Sequence, residues 1–540
     1  MRRIVFLLVP MLFGSSIALT QPTDTKKANI ELEHYVDYYD DEQKQKYSEG
    51  DFLLGKKHGT WTYYYENGQK QEQSNFNNGH LSGQVIYWYN NGQRQSEGYF
   101  KLLYQNGLLA SLRDSIYKEW HPNGNMAKKG QYFYDVPQGD WVFWFAEGDK
   151  WKEIKYDNGR AKPLNGWDKN FKQALSKGEG ILYEYYESGP LKAQLAIQDS
   201  TFTGNAQYFY TNASTEMEGT LIENEKNGVW HYYYDDGQPQ RDVSYDKNIL
   251  DGPYKSWHRN GEISVSGQYK KGRKHGQWTW NFENGKPEMI GEFQDGLQHG
   301  IWTYYYDNGQ IEATGMFEKN QREGEWKMYY REGQLWKNGL YSKDKKHGHW
   351  KIYFETGQIL QEGDFDSGKE NGEWSSWYQN GQMKDLGVYK LGVMDGEWKG
   401  WFPNGKMNYS GTRKEGQKAG EWKYGYQNGK MREEGSYNNS GLKEGAWTYY
   451  YEAGNIDYTC NYSNGSKDGK CIYYHPHGAK MRQESYNLDL LDGKSQMWDK
   501  KGNLISVRNY KEGMLHGKVV NYDEEGKVVN QSTYKNGLRN

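Results

Sequence analysis

Residues 300–323 read GIWTYYYDNGQIEATGMFEKNQRE, residues 324–347 read GEWKMYYREGQLWKNGLYSKDKKH, and residues 348–371 read GHWKIYFETGQILQEGDFDSGKEN. The three lines are one sentence rewritten, so the unit to explain is a 24-residue repeat rather than a domain. Its opening glycine recurs without slippage at Gly204, Gly228, Gly252, Gly276, Gly300, Gly324, Gly348, Gly372, Gly396 and Gly420. One inserted residue then shifts it to Gly445, Gly469, Gly493 and Gly517, and upstream units begin at Gly59, Gly83, Ser115, Gly139 and Gly180, which makes 19 copies.

Numbering the opening glycine 0, the unit is GxWxxYYxNGQ followed by a half with an aliphatic residue at 11, Gly at 15 and Tyr or Phe at 17. Each half is the length of one strand, and the halves meet at Asn-Gly, as in Asn284-Gly285, Asn308-Gly309 and Asn380-Gly381. Asn-Gly between two such runs predicts a two-residue hairpin with a type I′ turn, whose central residues both need positive φ. With positions 8 and 9 as that turn, position 2 faces 15, 6 faces 11 and 17 faces 0. Trp302 then lies beside Gly315, and Phe317 beside Gly300. Centring the connection to the next unit at positions 20 and 21 sets each Gly at 15 against the following Trp as well. Every indole has a glycine on both flanking strands, where a ring can shield bare backbone.

The only two cysteines test this register. Cys460 stands at position 15, where Gly is usual, and Cys471 at position 2 of the next unit, where Trp is usual. The two fall on opposed positions of adjacent strands, which predicts a Cys460–Cys471 disulfide in an exported chain.

Composition agrees. With 66 glycines, 50 tyrosines, 22 tryptophans and 11 prolines in 540 residues, aliphatic residues are too few for a thick core and aromatics too many for disorder. A formal charge of −3 gives no electrostatic footing for nucleic acid or anionic lipid. The fold class expected is all-β: an elongated, twisted antiparallel meander, a solenoid-like ribbon of about 19 hairpin repeats, stabilised mostly between nearest neighbours.

The first residues are an address. Met1, Arg2 and Arg3 precede the apolar run IVFLLVPMLF and small residues at Ser16, Ala18 and Thr20, the pattern of a signal peptide over 1–20. The run is too short to span a bilayer, and no later segment reaches transmembrane length. The mature chain is therefore expected outside the cytoplasm: periplasmic, cell-surface or secreted. Residues 21–44 are polar and acidic, and the array fills 45–540 with insertions near 100–114 and 150–179. Within the second insertion DKNFKQALSKG is expected to form one or two helical turns, and either insertion is a candidate binding loop. Toward the C-terminus Trp gives way to Ser495 and Val519, as in a terminal cap.

The combination GxWxxYYxNGQ with EGxYxxG resembles the MORN repeat, in the bacterial variant of YwqK-like proteins. The resemblance runs from about Glu49 to Leu538. It implies an elongated sheet of hairpins used for scaffolding, self-association or partner binding.

Catalysis is not expected. A repeat displays the same residues many times, and no nucleophile elbow, zincin, P-loop or EF-hand pattern occurs. His58, His275, His299, His347 and His516 form a row beside position 0, but equivalent atoms two strands apart stand roughly 9.6 Å from each other. Zinc ligands converge within about 2.1 Å of one metal. No metal, cofactor or catalytic residue is assigned. The candidate binding surface is the row Trp302, Trp326, Trp350, Trp374, Trp398 and Trp422. If these rings are exposed they could stack on a glycan or cell-envelope polymer. If they are packed they are the fold's core, and the leading expectation is a scaffold for a protein partner or for a second copy.

Overall fold

The computed structural model describes residues 31–540 except 41, 43, 106 and 107. The expected signal peptide lies outside the described residues. Among the described residues there are 45 strands and no helix, and successive strands pair antiparallel in an open meander not closed into a barrel, with Leu490–Leu491 and Gly493–Trp498 sharing one partner strand, as do Met514–Leu515 and Gly517–Tyr522. The chain divides into two compact units, Met1–Ala206 and Gln207–Asn540.

In the second unit the repeat from Gly300 is typical. Its strands Leu297–Tyr305 and Ile311–Glu318 pair Gly300 with Phe317, Trp302 with Gly315 and Tyr304 with Ala313, the register read from the sequence. The register then slips, so position 5, Tyr305, faces Ile311, and the expected pairing of 6 with 11 is corrected. The cause is the turn. Gly309 N–H donates to Tyr306 O at 2.8 Å and Tyr306 N–H to Gln310 O at 2.8 Å, with only Gly309, at φ 93°, left-handed. This is a type I turn closed by a glycine bulge, not type I′.

Asparagine at position 8 therefore serves another purpose than positive φ. Asn308 Oδ1 accepts the Gln310 amide at 2.9 Å, and its Nδ2 donates to Arg331 O in the next repeat at 2.9 Å. Asn284, Asn380 and Asn404 make the same reach to Asp307, Pro403 and Gln427. Beside them the position 6 hydroxyls of Tyr306, Tyr330 and Tyr378 donate to the carbonyls of Tyr329, Tyr353 and Trp401. His258 at the same position keeps the bond through Nε2 to Asn281 O at 2.8 Å. The turns are thus laced edge to edge. Asn308→Ala is expected to cost about 1 kcal/mol, read as faster amide exchange at the turns 306–310 and 330–334.

The type I′ turn exists, but between repeats. Lys319 (φ 51°) and Asn320 (φ 68°) form one, Lys343 (φ 49°) and Asp344 (φ 66°) another. The connection is thus centred at 19 and 20, one residue earlier than expected. The opening glycine restores the register: Gly324 takes φ 68° in a bulge that an L side chain would strain. Beyond the bulge the expected partners meet, as Gly363 with Trp374, Gly387 with Trp398 and Gly411 with Trp422.

The first unit follows the same plan with departures. Within the segment expected to be polar, Glu33–Tyr38 forms a strand paired with Lys46–Leu53, so hairpin pairing starts before residue 45. The first insertion does not make a separate loop; it lengthens the strands Arg94–Gln105 and Leu108–Trp120. In the second, the helical expectation is corrected. Asp168 Oδ1 accepts the amides of Asn170 and Lys172, both at 2.9 Å, which closes a turn rather than a helix. A short strand Gln173–Ser176 follows and seats the fully buried Leu175 between Gly166 and Gly180.

Tyrosines at position 5 carry a pH signature. Tyr233 donates to Glu218 at 2.8 Å and Tyr450 to Glu434 at 2.6 Å, while Tyr64 is held by Glu49. Burial first, then the carboxylate bond, pushes all three phenols up to about 12 from 10.0. A folded value above the unfolded one means their stabilisation is complete below pH 10 and is lost as pH rises through about 12. A phenolate absorbance titration is expected to show a late fraction that disappears in denaturant.

Candidate functional site

The aromatic layer is the part of the molecule where residues converge repeatedly. All six candidate indoles are inside it: Trp302, Trp350 and Trp422 are 1% exposed, Trp326 3%, and Trp374 and Trp398 6%. Of the two readings left open for this row, exposed surface or packed core, these six rings are packed. Each ring turns back over the glycine of the preceding strand, so that a Cβ on Gly291, Gly315 or Gly339 would stand closer than 3.0 Å to Trp302, Trp326 or Trp350. Glycine here makes room for the indole face, with ordinary extended backbone. The indole N–H is also satisfied, because Trp302, Trp326 and Trp350 donate to Glu292 O, Met316 O and Leu340 O at 3.2, 3.1 and 3.0 Å. These acceptors border the bulge, where the ladder's register slips.

The rings at position 17 close the layer. Phe317, Tyr341, Phe365 and Tyr389 each stand edge-to-face on the following indole at 5.1–5.2 Å and on the preceding one at 5.8–6.1 Å. Trp302 through Trp398 are thus joined in one ladder of alternating edges and faces, each contact worth about 0.5–1.5 kcal/mol beyond burial. Arg413 takes position 17 after Trp398 and interrupts it.

Every Trp at position 2 follows a glycine at position 15: Gly50 and Trp61, Gly130 and Trp141, Gly219 and Trp230, and so on to Gly435 and Trp447. Where the glycine is lost, so is the indole. Ser74 pairs with Val85, Val243 with Tyr254, and Cys460 with Cys471. The two sulfurs are bonded across strands whose Cα atoms are 4.0 Å apart. Neither thiol is expected to alkylate before reduction, and reducing the pair should lower stability by about 2–3 kcal/mol, measured by mass spectrometry and denaturant titration.

The opposite face of the sheet is solvated and varies. Its cross-strand pairs at positions 1 and 16 run Ile301–Met316, Glu325–Leu340, His349–Asp364, Glu373–Val388 and Glu397–Thr412. Near its C-terminal part Glu397, Lys399, Ser410, Thr412, Glu421 and Lys423 border a shallow hollow of about 260 Å³. At the turn edge Tyr210, Asn212, Tyr234, Asp235 and Arg259 border one of about 560 Å³. Among the described residues no three His, Cys, Asp or Glu converge as metal ligands. Three members of the histidine row lie at strand positions: His275 pairs with Gln268, His299 with Glu292 and His347 with Leu340. No helix of the described residues is long and apolar enough to cross a membrane.

The family model described as MORN repeat variant matches residues 57–78, 81–102, 113–133, 226–247, 250–271, 274–295, 298–319, 322–343, 346–367, 370–391, 394–415, 418–439, 443–464 and 515–536, more than half of the chain. The chain belongs to the MORN repeat variant family. Most MORN segments here open two residues before the bulge glycine and close in the type I′ turn, so one segment is one hairpin. No curated protein matches the chain. Among solved structures, the crystal structure of TcdB2-TccC3 is similar at 10% identity over 93% of this chain and 30% of that one, with a TM-score of 0.13. A Photorhabdus luminescens Tc holotoxin pore is similar at 10% identity over 91% of this chain and 32% of that one, with a TM-score of 0.12. This chain spans about a third of the length of those chains, and at such scores the likeness carries no argument.

Proposed function

We propose that this MORN repeat protein is an exported, non-catalytic scaffold for protein–protein interaction or envelope-associated assembly. The observation that carries this reading is the division of labour within each repeat. Positions 0, 2, 15 and 17 are spent on the ring ladder and the bulge, while the solvated pairs at positions 1 and 16 change from apolar to acidic to His–Asp between neighbours. A constant frame with a variable face suits the display of distinct contacts at a fixed spacing of roughly two strands, about 9.6 Å. Export is supported by the N-terminal sequence and by the cross-strand cysteines. A glycan reading needed the position 2 indoles at the surface, and they are packed.

Crosslinking of the protein in its source cell tests this. The expected result is a reproducible partner protein, or a second copy, joined through Lys327, Lys351, Lys399 or Lys423 on the variable face, recovered with the envelope or medium. Saturable binding of the purified chain on a glycan array, with no protein crosslinked through that face, would overturn it.

A further inference from the structure

One polar side chain enters the aromatic layer at a fixed place, two residues before the opening glycine. In seven repeats it is Lys, and in five of these its ammonium sits among three rings of its own repeat, at positions 2, 4 and 17. Lys274 Nζ stands 4.4, 4.8 and 5.1 Å from the ring centres of Trp278, Trp280 and Phe293. Lys226 stands 4.2, 5.1 and 5.5 Å from Trp230, Tyr232 and Tyr245, and Lys418 5.0, 5.0 and 5.1 Å from Trp422, Tyr424 and Tyr437. Lys57 and Lys443 are held alike by Trp61, Tyr63 and Phe76 and by Trp447, Tyr449 and Tyr462. Of the five, Lys443 alone has a carboxylate in ion-pair reach, Glu433 at 3.4 Å. The others rest on ring faces, with position 4 hydroxyls accepting from Lys226 at 2.8 Å and Lys418 at 2.6 Å. Burial lowers the pKa of Lys226, Lys274 and Lys418, as a desolvated ammonium requires.

The repeat from Gly300 builds the same cage without the cation. Trp302, Tyr304 and Phe317 occupy positions 2, 4 and 17, with Trp302 centred 6.2 Å from Tyr304 and 5.8 Å from Phe317. The cage from Gly276, which does hold its lysine, has 5.8 and 6.2 Å for the same two separations. In place of Lys stands Gln298, whose neutral amide reaches the Tyr304 hydroxyl. The other three-ring set, Trp141, Phe143 and Tyr156, follows Pro137, and there Lys152 brings an ammonium to 5.0 Å from Phe143. Among the described residues the Trp302 cage is the three-ring set with no ammonium or guanidinium over a ring face; Arg322, which pairs with Phe317 and acts on Tyr304 from the next repeat, lies over Tyr341 instead.

We propose that the Trp302–Tyr304–Phe317 cage is a recognition pocket for a primary alkylammonium carried by a partner protein, the group a lysine side chain presents. The five sister cages show what such a set of rings holds: an ammonium attracted by ring faces, and in four of the five bonded by a phenol oxygen. The incoming group takes the place of the half-buried Gln298 amide. This rests on the protein-interaction reading and names the group that the partner inserts.

Ligand-observed saturation-transfer NMR on the purified full chain tests it with Nα-acetyl-lysine N-methylamide as probe. A saturable signal on the ε-methylene protons is expected, with none for the neutral norleucine analogue. Gln298→Lys, which copies five native repeats and should keep the melting temperature, is expected to weaken probe binding about tenfold. Gln298→Ala should leave binding equal or tighter. No saturable signal with the native chain, or equal signal after Gln298→Lys, overturns the proposal. So does tighter binding of tetramethylammonium, which would assign the cage to quaternary head groups. Either failure with a crosslinked partner still present sinks the cage alone and leaves the scaffold standing.

Discussion

Trp350→Ala is expected to cost about 3–5 kcal/mol and to unfold its neighbourhood before the rest of the array. The indole is 1% exposed, stands edge-to-face with Tyr341 at 5.1 Å and Phe365 at 6.0 Å, and donates to Leu340 O at 3.0 Å. Truncation removes the ring from all of these at once and leaves the bare backbone of Gly339 open to water. A sheet with no second layer has nothing else to collapse into the gap. Because repeats are stabilised mainly by their neighbours, the loss stays local. Hydrogen exchange should rise in the strands Leu335–Ser342, Lys345–Tyr353 and Ile359–Asp366 and remain unchanged around Trp230. A uniform rise through Gln207–Asn540 would mean that the second unit unfolds as one body.

Gly339→Val is expected to be of similar size, about 3 kcal/mol or more, through the opposite fault. Overpacking a filled site costs about 1–3 kcal/mol, and more when the neighbour cannot move. Here the new Cβ would stand closer than 3.0 Å to the indole of Trp350, which is fixed by its own N–H bond and by two rings. By contrast Gly357→Ala touches nothing within 4 Å and meets only the cost of φ 85°, about 1–2 kcal/mol. Denaturant midpoints of the two variants should therefore separate the glycines that make room for a ring from those that make a turn.

Most of this frame could be read from residues 300–371. Period 24 and Asn-Gly gave hairpins, and counting from them put Trp302 beside Gly315 and Cys460 beside Cys471, as found. What escaped the reading is a shift of one residue at each turn. The Asn-Gly turn has three residues in the loop rather than two because Asn308 is tied to the next repeat and only Gly309 needs positive φ. The slip it causes is absorbed inside the hairpin between Tyr304 and Tyr305, and the opening glycine's bulge separately absorbs the early type I′ turn, so the pairing of rings and glycines stays intact.

The direction of the rings was not legible either. Glycine flanks indoles such as Trp302, Trp326 and Trp350 on both sides, and which one is covered follows from side-chain rotamer, not spacing. The choice between surface and core was open for the same reason: a row of Trp302 to Trp422 looks alike in sequence whether it faces solvent or lies under Phe317 and Tyr341. The cage at Trp302 had a visible signal, since Gln298 stands where Lys274, Lys346 and Lys418 stand in their repeats, but its meaning needs the ring geometry.

The claim that an indole over the preceding glycine organises each repeat is tested most directly by a double-mutant cycle on Gly339→Ser and Trp350→Val. The pair copies Ser74 and Val85, which face each other natively in the first unit. Gly339→Ser alone should be strongly destabilising, and adding Trp350→Val should cost far less in that background than in the native chain, with a favourable coupling of at least about 1 kcal/mol. Additive losses would contradict the account, because they would mean that the glycine and the ring are held for separate reasons.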